Sequence, residues 1–419
     1  MSRTSDKPIA VVVDGYSAGN FYPAAFTAAG ARVIHVQSTP ELIPTMAPPN
    51  LAEYAENIVA SGVDALVALL RPYAPVCVVP GQESAVQLAD SLSEALGVAS
   101  NGTALSSARR DKYDMIEALR AAGVRCADQF KSADPAALVA WAEEHGSYPV
   151  VVKPLSSAGS DGVYICAGAD EVRTAAERIL ASQDIFGSSN TEVLAQSYLK
   201  GTEYIVDTVS SDGRHYACGV WQYEKALLPS GQNIYNRDVL VAPDADPVPA
   251  LIAYVGEVLA ALDVRWGPAH AEVIMTEAGP TLVEIATRLN GNLNSAFHDQ
   301  CLGHNQAALS VQAYVHAEEF RATYGGGVYR KLQSAVVYNT PTELDGTVGS
   351  VDQSVVEEIK GLGSVAQVTV KWAPGVRIRP TVDLMTSSMK VFLTSSDEAA
   401  VDADYEKIRL LKDSVYRLA

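Results

Sequence analysis

The sequence predicts a multidomain chain, parallel α/β at its N-terminus and α+β beyond it. Short runs rich in β-branched residues, PIAVVVD at 8–14, ARVIHV at 31–36 and VCVVP at 76–80, are separated by helical stretches, the β-α-β-α order of a parallel sheet. Beginning at Glu192, EVLAQSYLKGTEYIVDTVSSDGRHYACGVW alternates strand-like runs with turn signals at Lys200-Gly201 and Ser210 to Gly213, as an antiparallel sheet does. The 419 residues exceed what one core usually supports, and at about 150 residues per domain they suggest roughly three domains or subdomains.

Taken in order, the first strand leads into DGYSAGNFYPAAF, whose glycines at 15 and 19 lack the GxGxxG spacing. That absence makes a dinucleotide-binding dehydrogenase a poor match. The third run opens VVPGQESAVQLADSLSEALGV and sets Glu83 at a strand's carboxyl end, where open parallel sheets gather ligands. A first-turn glutamate favoured by the helix dipole accounts for it equally well. A new unit begins near residue 105 with the helical RRDKYDMIEALRAAGV, followed by a helix around ADPAALVAWAEEHG and the strand and loop PVVVKPLSSAGSDGVYIC. A helix around VPALIAYVGEVLAALDV precedes AHAEVIMTEAGPTLVEIATRLNG, and after Gly325-Gly326-Gly327 strands, a loop near WAPGVRIRPT and a terminal helix complete the chain. The expected divisions are 1–105, 106–200, 201–325 and 326–419.

A net charge of -18 argues against a nucleic-acid or anionic-membrane surface, which needs clustered Lys and Arg. Phosphate must then be met by local lysines or by metal ions. The five cysteines are far apart and lack any CxxC spacing, which reads as reduced, buried thiols of a cytoplasmic protein. No segment reaches the ~18 consecutive apolar residues of a membrane span.

PVVVKPLSSAGSDGVYIC, residues 149–166, puts Lys153 before the glycines, and its loop leads into another strand. A Walker A loop needs the reverse order and a following helix. The stretch is therefore a hairpin with a small-residue tip. The amides of Ser156 to Gly162 can wrap phosphates while Lys153 supplies a fixed charge. Taken alone, an ordinary hairpin with a solvated lysine fits as well.

The stronger signal lies in AHAEVIMTEAGPTLVEIATRL. If Ala269–Met275 and Thr281–Ile285 are strands joined by TEAGP, Met275 faces Thr281 and Glu272 faces Glu284. Directly opposed residues have Cβ atoms about 4.5–5.5 Å apart, and like charges there need neutralising. Mg²⁺ suits such a pair, because it prefers a couple of carboxylates plus phosphate oxygens and water. Arg288, four residues after Glu284, brings a planar donor fork to the same region. His270 shares the face of Glu272 by alternation, and as a lone histidine it reads first as structural.

In that order, over roughly residues 75–295, the chain resembles the ATP-grasp superfamily. The resemblance implies a pre-ATP-grasp N-terminal domain, an ATP-grasp fold and a C-terminal accessory region. ARRDKYDMIEALRAAGV resembles the segment whose lysine touches the nucleotide phosphates, here Lys112. PVVVKPLSSAGSDGV resembles the strand lysine and phosphate-covering loop, which implies Lys153 with Ser156, Ser157, Gly159, Ser160 and Gly162. EVLAQSYLKGTEYIVD resembles the adenine-reading segment, which implies Gln196, Ser197, Tyr198 and Leu199 around adenine and Glu203 on the ribose. Gln196 stands where the family often has glutamate. The hairpin implies Glu272 and Glu284 as Mg²⁺ ligands, with Mn²⁺ an alternative, and Arg288 and Lys153 as catalytic cations. The family's asparagine two residues after the second glutamate is here Ala286, which implies either that one metal is held less completely or that Asn290 compensates.

WAPGVRIRPTVD and EIATR, in place of EINPR, most resemble the dipeptide-forming L-amino-acid ligases of the alanine-anticapsin ligase and dapdiamide synthetase type. This implies that ATP converts a carboxylate to an acyl phosphate, which an amine displaces, with amino acids as the substrates, no nucleic-acid or membrane partner, and a homodimer by analogy. Candidates for substrate recognition are Glu83, His270 and Gly291, together with Tyr223, Lys225, Tyr235, Asn236 and Arg237 in WQYEKALLPSGQNIYNRD. That last segment reads equally well as a surface loop. Rival readings are an ATP-grasp carboxylase or purine-biosynthesis-type ligase, and a non-catalytic nucleotide-binding regulatory protein. The retained Glu272, Glu284 and Arg288 argue against the last.

Overall fold

A computed structural model of the chain describes residues 7–43, 46–156, 162–183, 189–227, 233–382 and 386–419. Strands β1 (Ile9–Val13), β2 (Arg32–Gln37), β3 (Glu56–Val59) and β4 (Cys77–Pro80) form a parallel sheet in the order β3-β2-β1-β4. Three of these are the β-branched runs. The fourth, ENIV, escapes the pattern because Ile58 alone among its residues is buried, as is common for an edge strand. Ala10, Val12, Val33 and Val79 face Leu289, Leu293, Ala307 and Val311, while Val11, Val13, Ile34 and Val78 face Leu66, Leu70 and Leu92. Burial on both faces is why the runs are continuously apolar. The first set also seats this sheet against helix Gln306–Val315.

Strands β5 (Gln129–Ser132), β6 (Val150–Pro154), β7 (Tyr164–Cys166) and β8 (Val193–Ser197) form an antiparallel sheet in the order β5-β8-β6-β7. Helices Pro135–His145 and Ala169–Leu180 cover it. Lys153 stands on β6, and β7 returns antiparallel to it, so the stretch is a hairpin.

The remaining strands are β9 (Gly201–Ser211), β10 (Arg214–Leu227), β11 (Asn233–Leu240), β12 (Gly267–Thr276), β13 (Gly279–Ala286), β14 (Ser334–Thr340), β15 (Gly346–Val351), β16 (Val365–Val370), β17 (Arg377–Ile378), β18 (Met389–Ser395) and β19 (Tyr416–Leu418). Eight form one sheet, β13-β12-β9-β10-β11-β14-β18-β16, and β17-β15-β19 form a small one. The C-terminal stretch thus adds three strands to the sheet that carries the paired glutamates. Helix Lys112–Ala121 starts at Asp111, whose carboxylate accepts from the N–H groups of Tyr113 and Asp114 at 2.9 Å, a side-chain N-cap. It buries Met115, Ile116 and Leu119 against the eight-stranded sheet. That packing brings Lys112, at the helix start, to the hairpin. The five cysteines form no disulfide, and among the described residues no helix is long and apolar enough to cross a membrane.

Candidate active site

The two glutamates do face each other, by a route the sequence did not suggest. The turn is tighter than TEAGP: Thr276 pairs with Gly279 and Met275 with Pro280, not with Thr281. A bulge at Glu272/Val273 then restores the register, so that Glu272 faces Glu284 and His270 faces Ala286. Val283 is the residue left over in β13. Bulges next to active sites re-aim side chains in this way, and the two offsets cancel.

Three cations converge on the pair. Lys112 Nζ lies 2.6 Å from Glu284 Oε2. Burial would raise the Glu284 carboxyl, but Lys112, with Lys153 and Arg288, outweighs it and holds the group down at about 2. Lys153 is 4% exposed, and its Nζ donates to Gln196 Oε1 at 2.9 Å. Burial and the Lys112 charge pull its ammonium down to about 8, against the attraction of Glu284, Glu272 and Glu203. Its setting weakens the ammonium but leaves it largely charged at neutral pH.

Behind Glu272 runs a buried chain. His270 Nδ1 is 2.8 Å from Asp207 Oδ1, and its Nε2 is 3.6 Å from Glu272 Oε1. Burial disfavours the imidazolium, but Asp207 and Glu272 outweigh burial and hold it up to about 9. Asn290 Nδ2 donates to Asp207 Oδ2 at 2.8 Å, and its Oδ1 accepts from the Asn292 N–H at 2.7 Å. Asn290 therefore docks on Asp207, which is paired with His270 on the sheet face that also carries Glu272. Asp207 is the site residue that sequence reasoning missed. Its signal was an acid inside the apolar run YIVDTV, in a β9 that is buried from Glu203 to Ser211.

Arg288 Nε meets Glu83 Oε2 at 3.0 Å, and Arg110 Nη1 lies 3.7 Å from Glu83 Oε1. Glu83 heads a short helical turn after β4, with its own N–H held by Gln82 Oε1. It thus combines the two placements the sequence left open, a strand end and a first turn, and it joins the parallel sheet to the hairpin. Tyr223 Oη donates to Glu272 Oε1 at 3.5 Å, and Lys225 pairs with Glu203, which is 6% exposed. Asn236 and Arg237 turn elsewhere: Asn236 Nδ2 donates to Tyr405 Oη at 2.7 Å, and Arg237 pairs with Glu224 and Asp402 and covers the Tyr405 ring. Gly291 is exposed on the loop after β13.

Of the nucleotide candidates, Gln196 is buried mid-strand, the Ser197 N–H donates to Asp128 O at 2.9 Å, and Tyr198 is 41% exposed, followed by half-buried Leu199. Ser156 and Gly162 flank the β6–β7 loop, Gly162 at a φ of 67° that favours glycine. Ser157, Gly159, Ser160 and the Tyr235 side chain lie outside the described residues. The residues present fit a nucleotide with its metal. Gln196 Nε2 is buried with no partner, a donor suited to an acceptor on a base. Among the described residues no three His, Cys, Asp or Glu side chains gather as a metal cage. A two-carboxylate site suits a cation that keeps phosphate and water ligands.

A family model for the ATP-grasp domain matches residues 146–296. The chain is 33% identical to dapdiamide A synthase of Enterobacter agglomerans, in an alignment covering 100% of this chain and 99% of that protein. Its fold is similar to that of the crystal structure of an L-amino acid ligase from Bacillus licheniformis, with a TM-score of 0.76, 18% identity and 99% of each chain covered. It is also similar to an N5-carboxyaminoimidazole ribonucleotide synthetase in complex with ADP, with a TM-score of 0.70, 17% identity, and 98% of this chain and 97% of that one covered. With the full-length relationship and the converging site together, the chain belongs to the ATP-grasp superfamily and is an ATP-dependent ligase that forms carbon-nitrogen amide bonds.

Proposed function

We propose that the enzyme joins an amino acid, or a related carboxylic acid, to a second amino acid through an acyl phosphate, releasing ADP and phosphate. The observation that carries this reading is the opposed pair Glu272 and Glu284 with Lys112, Lys153 and Arg288 around it. Phosphoryl transfer asks little covalent help of a protein and much positioning and charge neutralisation. In the first step a carboxylate oxygen of the substrate bonds to the γ-phosphorus and ADP leaves. In the second, the nitrogen of the neutral amine bonds to the acyl carbon, the carbon-oxygen bond to phosphate breaks, phosphate departs with the electron pair, and the proton shed by the nitrogen passes to the departing phosphate.

Lys153 and Lys112 hold the triphosphate, and Arg288 balances the charge that builds on the transferring phosphoryl group and the tetrahedral intermediate. Gln196 to Leu199 hold adenine, and Glu203 holds the ribose. Glu272 and Glu284 are the ligands proposed for Mg²⁺, or Mn²⁺ in its place, which supplies Lewis-acid neutralisation of phosphate oxygens. Glu83, paired with Arg288 and Arg110, is the residue proposed for the ammonium of the carboxyl-donating amino acid. The full-length similarity to dapdiamide A synthase supports amide formation over bicarbonate activation.

Incubation with ATP, Mg²⁺ and pairs of amino acids tests the reading. ADP and phosphate should appear only when a competent pair is present. Release of AMP and pyrophosphate sinks the acyl phosphate, and turnover indifferent to amino acids sinks the substrate class.

A further inference from the structure

One strand pairing beyond Tyr223, on the same sheet face as Glu272, lies a polar group that the mechanism above leaves unused. Tyr223, which reaches Glu272, is paired with Asp238 across β10 and β11. The chain leaving β13 arches over this face, and its asparagines dock on strands progressively farther across the sheet. Asn290 bonds Asp207 on β9 at 2.8 Å, Asn292 Nδ2 bonds Asp238 Oδ2 on β11 at 2.8 Å, and Asn294 bonds Gln367 on β16 at 2.6 Å. Asn292 also accepts at its Oδ1 from Lys390 Nζ on β18 at 2.6 Å. Its amide therefore bridges the Asp238 carboxyl group and the Lys390 amine.

A network that served only to hold the arch would satisfy its own polar atoms, because a buried orphan is costly. This one does not. Asp238 is 2% exposed and its Oδ1 has no partner. Asn339, 1% exposed and paired with Lys390 across β14 and β18, has none at either amide atom. Asn292 and Lys390, which join the same group, are part-buried. An unused acceptor, an unused amide and a lysine with N–H groups to spare complement a zwitterion.

We propose that Asp238, Asn292, Asn339 and Lys390 form the subsite for the amine-donating amino acid, with its ammonium on Asp238 Oδ1 and its carboxylate on Lys390 and the Asn339 amide. This rests on the ligase reading above. It places the nucleophile next to the Tyr223–Glu272 edge of the metal site and leaves Glu83 and Arg288 to the carboxyl donor.

Two readouts on the full-length enzyme separate the possibilities. Hydroxylamine is small enough to trap the acyl phosphate without an amino-acid subsite, so hydroxamate formation reports the first half-reaction. Dipeptide formation with a panel of common L-amino acids reports the second. In Asp238→Asn, an isosteric change, and in Lys390→Met, the KM for the amine donor should rise at least about tenfold, while hydroxamate formation changes by no more than about twofold. A KM for the amine donor that stays put, or hydroxamate and dipeptide falling together, overturns the subsite. A wild-type enzyme that makes no hydroxamate with any carboxyl donor overturns the ligase reading, and the subsite with it. Should Asp238→Asn fail to fold, the part-buried Lys390→Met decides alone.

Discussion

Lys112 and Glu284 are in contact at 2.6 Å, with the ammonium on a carboxylate proposed for the metal. In the nucleotide-free enzyme Lys112 shares with Lys153 and Arg288 the neutralising of the opposed glutamates. A metal ion held by this pair without ATP would have to displace Lys112, whereas bound ATP would give Lys112 a phosphate to move to.

Lys112→Gln should therefore tighten Mn²⁺ binding to the nucleotide-free protein by about tenfold, roughly the 1.4 kcal/mol of one modest ion pair. The same change should weaken ATP. Manganese titration by electron paramagnetic resonance reads the first effect; unchanged or weaker Mn²⁺ affinity contradicts this role for Lys112.

Glu284→Gln keeps the shape of the side chain and removes the charge that the three cations surround. Turnover should fall by at least about 100-fold, the scale on which one preorganised charge contact counts, with an unaltered circular dichroism spectrum. Near-normal activity would refute the role assigned to the hairpin.

The depressed Lys153 gives ATP binding a proton signature. At pH 8.5 more than half of its ammonium is neutral, given a value of about 8, and bound phosphates favour the charged form. Calorimetry in buffers of different ionisation enthalpy should show net proton uptake on binding at pH 8.5 and almost none near pH 6. Equal uptake at both would count against Lys153 as the buried phosphate contact.

His270 is raised from 6.5 to about 9 in the folded protein. Its contribution to stability is thus fully present below pH 6.5 and is lost as pH rises through about 9. The shift corresponds to roughly 3 kcal/mol. Metal-free enzyme should lose stability across that window in urea titrations, and His270→Gln should flatten the loss. A wild-type curve that does not fall between pH 6.5 and 9 contradicts the buried Asp207–His270 contact as drawn.

What the sequence disclosed and what it withheld follow from contact range. The strands β1, β2 and β4 were plain because burial on both faces makes them continuously apolar, while the polar edge strand β3 had no such mark. Glu272 and Glu284 were paired by counting along one hairpin, a local inference that survived a misread turn because the Val283 bulge returned the count. Contacts between distant segments left no such trace. Asn236 and Arg237 looked available in a loop-like stretch, yet they are engaged by Tyr405 and Asp402, over 160 residues away in sequence. The Asp207–His270–Asn290 chain and the Asp238–Asn292–Lys390 group likewise join strands that no periodicity connects. Their one clue was an acid inside an apolar strand.

The central claim is that the γ-phosphate passes to a substrate carboxylate before the amide forms. A carboxyl-donating amino acid carrying heavy oxygen in its carboxylate, incubated with ATP, Mg²⁺ and an amine donor, tests it by mass spectrometry of the released phosphate. One heavy oxygen per phosphate, matched by its loss from the amide, is the predicted result. Phosphate free of the label, or label found in AMP, would contradict the acyl-phosphate route.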